Sequence, residues 1–224
     1  MVKRKLLIII LFTLQCLASN PTDTVYWIGT PTSSGIGFAN TAKTNSSDAL
    51  FYNPAALGTL SESSINLAYS SIYETDFSSL NIVAHHKHIS FGLGVQLTQS
   101  NNIDQTTYDE SSNSITKIGT YNFGYSTIFF SASLQLPYIS FGHIGSTLHI
   151  HRMNMGDDVL VGESLNLGLI LTPFNFLTIG YNSYNIVPLY MRWNQKNIID
   201  SNSLLTTIHK VENYATIGIE LTPI

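Results

Sequence analysis

"ISFGLGVQLT", residues 89–98, alternates without a break. Ile89, Phe91, Leu93, Val95 and Leu97 fall on one side, and Ser90, Gly92, Gly94, Gln96 and Thr98 on the other. A period of two is a strand with two unlike faces, because successive side chains of an extended chain point in opposite directions. "ESLNLGLILTP" (163–173) repeats the pattern, setting Leu165, Leu167, Leu169 and Leu171 against Ser164, Asn166, Gly168 and Ile170. "SSINLAYS" gathers Ile65, Leu67 and Tyr69, and "FLTIGYNSY" gathers Leu177, Ile179 and Tyr181. "NYATIGIELT" sets Ala215, Ile217, Ile219 and Leu221 against Thr216, Gly218 and Glu220. In "YNFGYSTIFFSASLQLP" the apolar face switches near Thr127, which predicts a bulge or kink there.

Between these runs, His86-Lys87-His88, Leu136-Pro137-Tyr138 and Thr172-Pro173-Phe174-Asn175 read as tight links. Longer polar stretches, "SNNIDQTTYDESSNS", "RMNMGDD" and "RWNQKNIIDSNS", read as loops that alternate with them. Short turns on one side and long loops on the other are the layout of outer-membrane barrels. Eight runs, or ten with the weaker ones, have strand character. A secreted β-sandwich would also alternate, but charged residues are only 11% of this chain, against roughly 25% in ordinary soluble domains.

The start of the chain predicts export. "MVKRKLLIIILFTLQCLASN" joins a basic stretch (Lys3, Arg4, Lys5) to an apolar run from Leu6 to Leu14 and small residues before Ala18. That run is shorter than a spanning helix needs, so residues 1–18 read as a signal peptide. Its loss would make the formal net charge of −4 more negative by the three basic residues it carries. An acidic chain without basic clusters argues against nucleic-acid partners. Cys16 is the single cysteine and lies in the leader, which excludes a disulfide-stapled scaffold in the mature chain. A lipoprotein reading would acylate Cys16, but Gln15 stands where such motifs want a small residue. Export without cysteine pairs, few charges and no long apolar run point to strands crossing a bacterial outer membrane. The fold class expected is therefore all-β, an antiparallel transmembrane barrel over residues 61–224, preceded by a segment 19–60 of different character.

That segment ends in "SSDALFYNPAALGTL" (46–60), too irregular for a strand and too interrupted for a long helix. Pro54 lacks a donor and pushes Asn53 away from helix, so the chain turns there. "AALGTL" then allows one short helical turn, with Gly58 able to end it. With the residues before it, "GIGFANTAKTNSSDALFYNPAALGTL" resembles the N-terminal signature of long-chain fatty-acid transporter (FadL-type) barrels and their PorV-type relatives. The matching positions are Asp48, Ala49, Phe51, Tyr52, Asn53, Pro54, Ala55, Ala56 and Leu57. "GESLNLGLILTPFNFLTIGYNSYNIVP" is similar to a PorV-type pair of strands around a Pro turn. The resemblance implies a plug, or hatch, inside the lumen, with Phe51, Tyr52 and Leu57 packed on the inner wall. It also implies about fourteen strands in the transporter branch, more than this chain offers. An eight-stranded barrel has an interior just filled by side chains. The function implied is binding or passage of hydrophobic small molecules; the alternative is a PorV-like docking barrel for secreted proteins. Outer-membrane lipid is the other expected partner. Neither role needs a cofactor or a catalytic group.

Chemical sites are few. His85, His86 and His88, with His143, His149 and His151, fall on neighbouring strands, and the last three share the polar face. They are expected to be solvated rim residues, since no cysteine or near carboxylate completes a metal set. A barrel-embedded lipid hydrolase would pair His149 or His151 with Ser146 or Ser140. Gly35 and Gly37 in "GIGFAN" follow no apolar strand and precede no third glycine, so a nucleotide-binding loop is excluded. The Asn45 glycosylation pattern carries no weight in a bacterial outer-membrane protein.

Overall fold

The computed structural model describes residues 30, 33, 36–37, 39–109, 113–156, 158–187, 189–194, 208–211 and 213–222. The expected signal peptide 1–18 and Cys16 lie outside these residues, as do Gly35 and most of "RWNQKNIIDSNS". Among the described residues no helix is long and apolar enough to cross a membrane.

One antiparallel sheet accounts for most of the chain. Its strands are β1 (Ser64–Ile72), β2 (Thr75–His86), β3 (Ile89–Asp109), β4 (Ser114–Gln135), β5 (Gly142–Met155), β6 (Asp158–Phe174), β7 (Leu177–Val187), β8 (Leu189–Asn194), β9 (Ile208–Val211) and β10 (Tyr214–Leu221). The hydrogen-bonded path runs β1-β2-β3-β4-β5-β6-β7-β10, while β8 joins the start of β6 and carries β9. The all-β expectation therefore holds, and the alternating runs form strands where the period of two placed them. The closed barrel is not shown. No pairing joins β1 to β10 among the described residues, and these two strands stand as the edges of the sheet.

The two faces are inverted relative to a water-soluble sheet. On one side Ile65, Leu67, Phe91, Leu93, Phe130, Leu148, Leu167 and Ile219 are exposed. On the other Ser90, Gln96, Ser131, Ser133, Thr147, Asn166 and Asn182 are buried. The segment 39–60 lies against that face and meets Ser90, Ser133, Thr147 and Asn182 directly. Within it, Ala49–Tyr52 forms a one-turn helix, α1, and Pro54–Thr59 a 3-10 helix. The apolar core sits between segment and sheet: Leu50, Phe51, Ala55, Ala56, Leu57 and Leu60 from the former, Val83, Phe129 and Ile170 from the latter.

Several local expectations change. The bulge expected at Thr127 is absent, since β4 keeps unbroken register with β5 from Phe123 to Gln135. The apparent switch of face arises because Tyr125 and Phe129 are aromatic residues on the buried side. The irregularities fall instead between Ser100 and Ile103 and between Gln105 and Thr106. There the first part of "SNNIDQTTYDESSNS", residues 100–109, is not a loop: it continues β3 and, with β4, extends the hairpin well past its neighbours. Arg152–Met155 likewise belongs to β5, and Gly156 makes the turn at φ +60°. Thr172 and Pro173 lie within β6, with the turn at Asn175-Phe176. Gly58 does not end the 3-10 helix. It lies inside it, where a Cβ would overlap the His143 ring, so its role is close approach to β5.

Candidate functional site

Many polar groups converge where the segment 39–60 meets the strand face beneath it. Asn53 is fully buried. Its backbone is extended (φ −145°, ψ 98°), as the following proline requires. Its Oδ1 accepts from the Ala55 N–H at 3.2 Å, capping the 3-10 helix, with Pro54 at the first helical position. Its Nδ2 donates to the carbonyl of Thr41 at 2.6 Å and faces those of Leu169 and Tyr181 at 3.4 Å. Asn-Pro is thus a turn, a cap and a cross-brace to β6 and β7.

Asp48, also buried, directs its carboxylate at three donors: Thr30 Oγ1 at 2.6 Å, Asn66 Nδ2 at 2.8 Å and Asn81 Nδ2 at 3.2 Å. Asn66 and Asn81 are opposite each other on β1 and β2. Tyr52 keeps its ring among Phe51, Asp48 and Tyr184, and burial pushes its phenol up to about 12. Its carbonyl accepts from Asn182 Nδ2 at 2.7 Å and Tyr184 Oη at 2.8 Å. Phe51 meets Phe129 edge to face with ring centres 4.9 Å apart. Ala49, Ala55, Ala56 and Leu57 are buried. Ser133 Oγ donates to the Ala55 carbonyl, Ser90 Oγ to that of Leu57 and Thr147 Oγ1 to that of Leu50. The short polar side chains of the strands satisfy the irregular backbone lying over them.

Glycines on the same face make room for that backbone. A Cβ on Gly168 would overlap Asn53 Oδ1, one on Gly145 the Pro54 carbonyl, and one on Gly180 the Thr41 carbonyl. Gly92 faces Leu57 and Gly94 faces Leu50. Serine, threonine, asparagine and glycine on this face leave room for the main chain of the segment as well as for its Leu50, Phe51 and Leu57 side chains.

Next to Phe129 lies a second cluster. His149 and His151 are each 1% exposed, so they are not the solvated rim residues expected. His151 Nδ1 is 2.6 Å from Tyr125 Oη and 3.1 Å from Thr127 Oγ1, and its Nε2 is 3.0 Å from Ser164 Oγ. Asn166 Nδ2 donates to His149 Nε2 at 3.0 Å, and among the described residues His149 Nδ1 meets no hydrogen-bond partner. Among the described residues no group of three or more His, Cys, Asp or Glu is placed to hold a metal. Ser164, rather than Ser140 or Ser146, meets a histidine. Among the described residues the hydrogen-bond partners of His151 are Tyr125, Thr127 and Ser164, with no carboxylate. The signal for Ser164 and Asn166 was their shared polar face, while Tyr125 lay where the apolar face was read as switching; which of them meet depends on strand register, which the alternation alone does not fix.

Comparison of the chain with protein-family models, with curated proteins and with solved structures finds no match.

Proposed function

We propose that this chain is an outer-membrane β-barrel whose segment 39–60 plugs the lumen, and that it acts as an occluded membrane scaffold that docks other exported proteins. The inversion of the two faces carries the membrane part of this reading. A sheet that buries Ser90, Ser131, Thr147, Asn166 and Asn182 and leaves Leu67, Phe91, Leu93, Phe130 and Ile219 exposed is wrong for water. It suits lipid, which rewards apolar side chains and demands that the backbone satisfy itself. On β3 the apolar run Ile89–Leu97 extends about 26 Å along the strand. Tilted by about 40° it covers roughly 20 Å, close to the ~25 Å apolar band of such barrels.

The docking role rather than passage is favoured by the filled inner face. Leu50, Leu57, Ala55 and Ala56 are at most 1% exposed, and segment 39–60 occupies the space a solute would cross. The β3–β4 hairpin, which extends past the apolar band and exposes Tyr108, Ile115 and Ile118, offers a surface for a partner. Passage of hydrophobic molecules would require the segment to leave. The test is reconstitution of the purified chain into liposomes, with solute leak and oleate binding measured together. Folded protein with fast, heat-modifiable gel migration should leave the vesicles sealed and bind no oleate. Saturable oleate binding would instead support the hydrophobic-ligand role.

A further inference from the structure

We propose that β10 pairs with β1 of the same chain, antiparallel, with Tyr214 opposite Ile72 and Leu221 opposite Ile65, and that Thr41–Asp48 is the clasp that holds this seam. The inference rests on the membrane-barrel reading above and adds the closure and its register. Each strand in the path β1 to β7 and β10 is antiparallel to the next. With eight strands in that path, β10 runs opposite to β1, as antiparallel closure requires. β1 has nine residues and β10 eight, and the proposed register pairs every residue of β10. Faces also match. Thr216, Gly218 and Glu220 fall opposite Ser70, Ala68 and Asn66 on the inner side. Ile217, Ile219 and Leu221 fall opposite Tyr69, Leu67 and Ile65 on the outer side. A slip by one residue would reverse the faces; a slip by two would strand residues at both ends.

The stagger agrees with a tilted barrel. The row through Thr216 passes Asn182, Gly168, Gly145, Ser133, Ser90 and His85, then leaves the sheet before β1 begins at Ser64. Closure with no stagger would therefore leave β10 beside no strand. The proposed register introduces a stagger of about eight residues, the shear of a tilted eight-stranded barrel.

The clasp observation is independent of this counting. Thr41 Oγ1 lies 3.1 Å from Thr216 Oγ1, and both the N–H and Oγ1 of Thr44 reach Glu220 Oε2 at 3.2 Å. Lys43 pairs with the other oxygen of Glu220 at 3.2 Å. Four residues after Thr44, Asp48 holds Asn66 of β1. A four-residue span extends at most about 14 Å, so the two edges are tethered within reach of each other. The residues tethered, Glu220 and Asn66, are opposite partners in the proposed register. The edges also miss a neighbour: Leu67 is 75% and Ile217 73% exposed, against 46% for Leu93 and 41% for Leu148 inside the sheet. Among the described residues no strand lies on the outer side of either edge, and lipid offers no partner for the backbone groups there, which drives the edges together.

Cysteine pairs test the register in full-length protein folded in membranes. Leu67→Cys with Ile219→Cys should form a disulfide within one chain, in the fast-migrating folded band. Tyr69→Cys with Ile219→Cys, offset by two residues, should form it at least tenfold more slowly. Single-cysteine variants reveal any pairing with Cys16. A faster 69–219 bond would overturn the register, and a bond found only between chains would overturn same-chain closure. Loss of heat-modifiable migration in the unsubstituted protein would instead remove the membrane reading beneath the proposal, and is visible without any cross-link.

Discussion

Asn53 braces backbone from four places in the chain: the Ala55 N–H and the carbonyls of Thr41, Leu169 and Tyr181. Its two ends do different work, one accepting and one donating, so the amide is needed and not merely its size. Asn53→Ala should lower stability by about 2–4 kcal/mol, combining a lost cap with buried carbonyls left unpaired. Asn53→Asp should cost more than alanine, since a carboxylate would face three carbonyl oxygens. Denaturant unfolding in detergent micelles checks the order; an aspartate variant as stable as the native chain would refute this role. The turn at Asn53-Pro54 was legible, because proline restricts the residue before it. The bracing to β6 and β7 was not, because Leu169 and Tyr181 lie more than a hundred residues away. Asp48 was legible only as part of a motif, and nothing local announces its bonds to Asn66 and Asn81.

At the scale of elements, the strands declare themselves through their period, while their ends and turns do not. Tyr73 and Glu74 make a two-residue hairpin with φ of 50° and 61°. That conformation usually calls for Asn or Gly, so no sequence signal marked it. The long hairpin of β3 and β4 was hidden for another reason. Beyond the apolar band Tyr108, Ile115 and Ile118 are scattered among polar residues without alternation, and a strand without two unlike faces has no readable period. Glycines in strand interiors normally weaken them, yet here they mark where the segment 39–60 rests. Gly145→Ala should destabilise by about 1–3 kcal/mol or displace the segment, since its Cβ would meet main-chain atoms of Pro54 and Ala55. Gly124→Ala, whose Cβ would meet only Asn154 Nδ2 at 3.7 Å, should be neutral or slightly stabilising. Thermal loss of the fast-migrating band compares them; equal effects would mean that close approach is not what these glycines serve.

For the molecule as a whole, the inverted faces and the segment packed on one of them are one solution to one constraint. Apolar residues occupy every second strand position, so the other positions must be buried without an oily core of their own. The segment 39–60 supplies the missing apolar side chains, Leu50, Phe51 and Leu57, and the strands answer with hydroxyls, amides and glycines. Which residues point outward was legible from the sequence. The register proposed for the two edges was not, because closure depends on stagger around the whole sheet and not on any local pattern.

The most direct measurement of the central claim is spin-label accessibility along β4 in reconstituted membranes, one nitroxide at a time from Ile128 to Leu134. Labels at Ile128, Phe130, Ala132 and Leu134 should be relaxed strongly by oxygen and weakly by a water-soluble nickel complex. Those at Phe129, Ser131 and Ser133 should be shielded from both. Even positions open to the nickel complex, or accessibility with no period of two, would contradict a lipid-facing sheet.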